Sequence, residues 1–275
     1  MIFTKAKMNK GIIQILLILL TLVVIIPFYM IVVNSFKDVN GAAQFKLTLP
    51  SEWKFENYIT VFNSGKIVLG YANSLIISLG ALLVINVFSS LASFSIQRNN
   101  TRLTNMIYYL FILGLVMPVA LIPTIKLMMG LHIHNTYHGM MMFYGAVLTP
   151  FTVFLMTGFM RAIPRELDES AIIEGCDAVR LFCSIIVPLM QPVIITGSLL
   201  TIINVWNDFT GPFYLLTDGS KWTVTVSVYK FAGQYNSNWN LIFADILMII
   251  SPVLLLYFFL QKYIVEGMTA GALKG

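Results

Sequence analysis

The chain has 275 residues, 58% of them hydrophobic and only 11% charged, with a mean hydropathy of +0.83. A soluble domain carries roughly 25% charged residues, so a water-facing surface is excluded for most of this chain and a lipid-facing one is implied. The formal net charge of +5 does not point to nucleic acid, because the basic residues lie mainly in short segments between apolar runs. The two cysteines, Cys176 and Cys183, provide neither a disulfide framework nor a zinc site.

Six apolar stretches are long enough to cross a bilayer core of ~30 Å as helices, near 11–34, 67–97, 103–126, 138–160, 188–208 and 240–262. Their continuous apolar character suits helices, since barrel strands alternate over about ten residues. The predicted fold class is therefore an all-α integral membrane protein with six transmembrane helices. The first stretch follows Lys5, Lys7 and Lys10 in the manner of a signal peptide, but it is too long for one and no small-x-small cleavage site follows. It reads as an uncleaved first span.

Orientation follows from the 17 Lys and Arg. With the N-terminus inside, Lys5, Lys7, Lys10, Arg98, Arg102, Arg161, Arg165, Arg180, Lys262 and Lys274 are cytoplasmic. Lys37, Lys46, Lys54, Lys66, Lys126, Lys221 and Lys230 are external. The bias is sharpest in the short loop bracketed by Arg98 and Arg102, which predicts both termini inside. Residues 1–66 are then the first helix plus an external loop, 67–264 a core of five helices with a loop at 161–187, and 265–275 a cytoplasmic tail.

In the external loop after the third stretch, His132, His134 and His138 form a metal-like string without a carboxylate or cysteine beside it, and no metal site is expected. Polar residues within spans are costly and are often functional. Asn73, Asn204 and Asn207 lie near span ends with Trp206 adjacent, a set of amides and one aromatic face suited to a sugar path. Each is equally a capping or packing group. Ser89 and Ser90, with Ala92 and Ser93, suit close helix packing. Asp208 and Asp245 fall near span ends and do not suggest a proton relay. Pro27, Pro118, Pro123 and Pro192 fall in or near spans, where they can kink a helix.

The longest cytoplasmic segment carries the most specific signal. Pro164 suits a helix start, and Glu166, Asp168 and Glu169 complement the dipole of its first turns. Gly175 suits the stop. A helix of about ten residues is too short to cross lipid or to be stable alone. It is expected to expose Leu167, Ala171, Ile172 and Ile173, with the small Ser170 and Ala171 allowing close approach. A second helical stretch, 177–187, leads to Pro188. Composition leaves two readings open, a docking helix and a solvated connector.

Glu169-Ser170-Ala171, three residues, Gly175, nine residues, then Ile185-Ile186-Val187-Pro188 resembles the "EAA" loop of bacterial ABC-importer permeases. Ser170 and Val187 depart from that pattern, in which Ala and Leu are usual. Asn73 to Ser78, Trp206-Asn207-Asp208-Phe209 and Pro212 resemble the same family, and the tail from Gln261 to Gly275 is similar to the maltose-type carbohydrate branch. The resemblance implies a permease subunit of an ATP-driven importer of a carbohydrate, an oligosaccharide in particular, in the bacterial cytoplasmic membrane. It implies a second permease, two ATPase subunits and an extracytoplasmic solute-binding protein as partners. Glu169, Ser170, Ala171, Gly175, Leu167, Ile172 and Pro188 would couple to the ATPase, and Gly267, Gly271 and Lys274 of the tail would contact it.

The chain has no Gly-x-x-x-x-Gly-Lys-Ser/Thr string, so no cofactor is expected on it and ATP and magnesium would sit on the partner subunits. A permease for a non-sugar solute, a secondary transporter and an intramembrane enzyme are the alternatives. The transporter would call for intramembrane carboxylates, and the enzyme for a catalytic pair within the spans.

Overall fold

A computed structural model describes the backbone of residues 2–99, 101–232 and 237–272, with side chains from residue 13 onward except 256 and 259–272. Among the described residues every regular element is helical. They form two compact units, Met1–Val68 with Ser227–Ser251, and Leu69–Val226 with Pro252–Gly275.

The first unit opens with α1 (Ile2–Ser35), whose stretch Ile13–Ser35 carries no charged residue. Its side chains from Ile13 to Tyr29 are exposed on every face, the pattern of a helix whose solvent is lipid. Past its end, Asp38 caps a single turn, α2 (Val39–Ala42), by accepting from the Gly41 amide at 3.2 Å. Within the segment expected as an external loop lies α3 (Glu56–Ser64). Asn57 on α3 is buried and donates to the carbonyls of Ser35 (2.8 Å) and Lys37 (2.9 Å), which fixes α3 to the end of α1.

The second unit is built around α4 (Ile67–Asn99) and α7 (Tyr137–Met160), both long and apolar enough to span a bilayer. The stretch expected as one span at 103–126 is two helices, α5 (Arg102–Val116) and α6 (Leu121–Gly130). Pro118 causes the break. It removes one amide and forces Met117 out of the helical region, to φ −74° and ψ 124°. Pro123 is tolerated because it lies in the first turn of α6, where its amide would lack a partner anyway. At the other end Thr101 and Thr104 form a capping box for α5.

After α7 come α8 (Glu166–Ile173), α9 (Ala178–Leu181), a π-helical turn (Phe182–Ile186), α10 (Val187–Leu189) and α11 (Gln191–Asn207). The run Ala178–Leu189 meets α11 at a bend of 73°, which falls at the start of the fifth expected span, 188–208, and leaves α11 as most of that stretch. A short α12 (Thr210–Leu215) and a 3₁₀ segment (Val224–Lys230) precede α13 (Trp239–Ala272). The helix α13 continues through 265–272, where a separate tail was expected.

Two apolar clusters hold the second unit. Ile77, Ala81 and Ile85 of α4 meet Met128, Met140, Tyr144, Val205, Leu215 and Leu216 in one. The other joins Met156 and Met160 of α7 to Ala171, Leu181, Ile186, Met190 and Val193. The serines expected to suit close packing in α4, Ser89, Ser90 and Ser93, are buried, and Asn86 of the same helix donates to Ser198 of α11 at 2.8 Å.

Candidate functional site

The helix α8 forms where three carboxylates in its first turn complement the N-terminal dipole. It stops at a Schellman closure. The Gly175 amide donates to the Ile172 carbonyl at 3.0 Å and the Cys176 amide to the Ala171 carbonyl at 2.9 Å. Gly175 takes φ +84°, a region that an L side chain enters only with strain, so glycine is the residue this stop requires. Asp177 then caps α9 by accepting from the Arg180 amide at 2.7 Å.

The two faces of α8 differ sharply. Leu167, Ile172 and Ile173 are exposed, Ile173 by 86%, and Glu169, Ser170 and Gly175 also face outward. Ala171 does not. Expected on the exposed face, it is only 4% exposed and seals α8 into the second apolar cluster beside Met160 and Ile186. Eight residues make barely two turns, so one inward position fixes the whole helix, and a small residue is what a close approach there requires.

Asp168 is the second inward residue. The Arg98 guanidinium at the end of α4 donates from Nη2 to its Oδ1 at 3.1 Å, with Nε 2.5 Å from Oδ2, and from Nη1 to the Ile163 carbonyl at 3.3 Å. Both side chains are only 12% exposed. Arg165 donates to the Gln97 carbonyl at 2.8 Å. The α8 loop is thereby rooted on the end of α4, with its apolar ridge free. Sequence reasoning gave Arg98 only an orienting role and Asp168 only a dipole role. The cue was available, a lone arginine ending one span and an acid-rich loop after another, but nothing in their spacing of 70 residues pairs them.

Of the four residues considered for a substrate path, Asn204 and Asn207 come together. They line an open cavity of about 520 Å³ with Asp208, Tyr144, Thr210 and the apolar walls Val119, Phe143, Val147 and Ile203. The Tyr144 hydroxyl donates to Asp208 Oδ2 at 3.0 Å, and the Gly211 amide donates to the same carboxylate at 3.2 Å. Amides and a carboxylate beside an aromatic wall form a surface that exchanges hydrogen bonds with hydroxyls.

Asn73 and Trp206 lie elsewhere. Asn73 is 2% exposed, donates to the carbonyls of Ser220 and Trp222 at 2.9 Å each, and accepts from the Tyr137 hydroxyl at 2.8 Å. It pins the segment before the 3₁₀ turn to α4. Trp206 is buried and stacks on Tyr71, with ring centroids 6.0 Å apart.

Among the described residues no three His, Cys, Asp or Glu side chains converge as metal ligands. Gly267 and Gly271 fall on the helical backbone of α13, while Lys274 lies outside the described residues. Asp245, expected near an interface, is fully buried on α13 and accepts from Ser227 Oγ with both oxygens, at 3.1 and 2.9 Å.

Apolar helices of spanning length mark a membrane protein, and α8 is held to it on one face while Leu167, Ile172 and Ile173 stay exposed on the other. Residues 85–270 match the model of the "Binding-protein-dependent transport system inner membrane component" family, and the chain belongs to that family, as a permease subunit of the ABC-importer type. It is 33% identical to "Probable starch degradation products transport system permease protein AmyC" of Thermoanaerobacterium thermosulfurigenes, over 98% of this chain and 99% of that one. It is 30% identical to "Melibiose/raffinose/stachyose import permease protein MelC" of Bacillus subtilis, over 91% of each. The fold is shared, at TM-score 0.81 and 21% identity, with a chain from the "Crystal structure of a bacterial ABC transporter involved in the import of the acidic polysaccharide alginate", over 92% of this chain and 95% of that one.

Proposed function

We propose that this chain forms half of the translocation path of an ATP-driven carbohydrate importer, taking oligosaccharides, and that α8 transmits the ATPase cycle to it. The observation that carries the reading is the two-faced α8: Ala171 and Asp168 hold it to the membrane core, while Leu167, Ile172 and Ile173 offer an apolar ridge to a partner. Relatives named for starch products and for raffinose-type sugars support a sugar cargo.

In this reading Glu169, Ser170 and Gly175 shape the docking surface, and Pro188 lies beside the bend that carries its movement into α11. Asn204 and Asn207 receive sugar hydroxyls in the cavity, whereas Asn73 and Trp206 hold its surroundings. Six spans with both termini inside complete the topology: α5 with α6, α10 with α11, and α13 supply three of them. A second permease, two ATPases that hold ATP and magnesium, and an extracytoplasmic binding protein complete the assembly, with Gly267, Gly271 and Lys274 directed at the ATPases. The chain itself catalyses no reaction in this scheme.

Proteoliposomes holding the whole importer test it. ATP-dependent uptake of maltotriose or raffinose, but not of an amino acid, is expected, and substitution of Ile172 and Ile173 by Asp should abolish it. Amino-acid uptake with no sugar uptake would overturn the cargo.

A further inference from the structure

Lys37 and Lys46 are not accounted for by transport or by orientation, since cations gather preferentially on the opposite side of a membrane. Lys37 follows the end of α1 and is only 7% exposed. Its ammonium donates to Asn34 Oδ1 at 3.0 Å and to the Lys46 carbonyl at 2.8 Å, two neutral acceptors. Closing the last turn of a helix explains its position. It does not explain the missing counter-ion. Among the described residues no carboxylate lies within ion-pair reach of Lys37 or Lys46. Glu52 is taken by Lys54 at 2.6 Å, and Asp38 accepts from the Gly41 amide. Burial, and then the facing Lys46 charge, push the Lys37 pKa below its usual value. A desolvated cation beside a second cation is costly unless an anion joins them. Both lysines line an open pocket of about 560 Å³ together with Lys54, Asp38 and Glu52, three cations against two carboxylates.

The surroundings indicate which anion. Phe36 lies against Trp53, Phe55 and Tyr58, with ring centroids 5.1, 5.2 and 5.1 Å away, and Trp53 and Phe55 are 51% and 63% exposed. Such rings at the end of an apolar helix mark headgroup depth. The stretch Ile13–Ser35 is 23 residues long, roughly 35 Å at 1.5 Å per residue, which places Lys37 at that same level. The geometry points to a binding site for the phosphate of an anionic phospholipid, held by Lys37 and Lys46 in the pocket they share, at the depth that the Trp53 and Phe55 rings mark. The site rests on α1 crossing the membrane and is independent of the cargo.

The test is native mass spectrometry of the full chain released from equimolar phosphatidylglycerol and phosphatidylcholine nanodiscs. The wild type should retain phosphatidylglycerol preferentially. Lys37→Gln and Lys46→Gln should each lower that preference about five-fold, the scale of one lysine at a charged membrane surface. Lys221→Gln, at another external lysine, should not change it. The exposed Lys46 keeps the test open if Lys37→Gln does not fold. An unchanged preference in Lys46→Gln overturns the site. Displacement of the lipid by an equal concentration of inorganic phosphate shows a free-anion site and overturns the lipid assignment. Loss of solute-binding-protein association with lipid retention unchanged shows a protein carboxylate as occupant and overturns it too. Labelling of Ser51→Cys, with Cys176 and Cys183 replaced by Ser, by a membrane-impermeant thiol reagent tests the span separately.

Discussion

Two connecting segments of the second unit solve opposite problems with similar raw material. The segment from Leu216 to Val226 is folded inward. Asn73 holds its carbonyls at Ser220 and Trp222, Ser74 Oγ accepts from the Val224 amide at 2.9 Å, and Lys221 donates to the Asn135 carbonyl at 2.8 Å. Val224 and Val226 are fully buried. The α8 loop is attached at a few points, chiefly Ala171, Arg98–Asp168 and Arg165–Gln97, and it leaves Ile173 the most exposed of its apolar side chains. The first segment has its backbone satisfied by side chains of α4 and returns a lysine to a carbonyl of the facing loop. The second satisfies its backbone within two helical turns and a Schellman stop, which leaves Leu167, Ile172 and Ile173 exposed. A connector reads as structural or as docking from where its hydrogen bonds go, more than from its composition.

The difference can be broken from either side. The largest effect on stability is expected at the root of α8. Arg98→Ala leaves Asp168 with a buried charge and no partner, and should cost about 3 kcal/mol and loosen α8. A thermal melt of the purified chain, with hydrogen exchange over 163–176, checks this. Adding Asp168→Ala should recover part of the loss, and a double cycle with no coupling would deny the pair its role. Asn73→Ala comes next. It strands two carbonyls and a hydroxyl at a cost of about 2 kcal/mol, with faster exchange confined to 220–226. Gly175→Ala is smaller, about 1 kcal/mol, because only the strain at φ +84° is added and nothing lies within 4 Å of a new Cβ. Ile173→Asp should change the melt least, by under ~0.5 kcal/mol, because that side chain is 86% exposed.

The same contrast marks what was legible in the sequence. Gly175 was, because a helix stop in the left-handed region selects glycine locally. The apolar lengths of α1, α4 and α7 were legible because span length is set by the bilayer. Pro118 could be seen as a kink, but whether a proline bends a helix or divides it depends on neighbours that satisfy the freed carbonyls, so the split of α5 from α6 was not. The inward turn of Ala171 was hidden for a different reason: over eight residues periodicity defines no face, and only the packing at Met160 and Ile186 does. Arg98 and Asp168, Asn73 and Ser220, and Tyr144 and Asp208 are all pairs formed across distant elements, which no local pattern reports.

The central claim is that the exposed ridge of α8 receives the ATPase. It is tested most directly by co-purifying the ATPase subunit with the full chain carrying Ile172→Asp and Ile173→Asp, alongside a melt of the same sample. The account predicts ATPase recovery reduced about ten-fold or more, as loss of ~1.4 kcal/mol or more from an apolar docking site requires, with the melt unchanged. Undiminished recovery of the ATPase with both isoleucines replaced would contradict it.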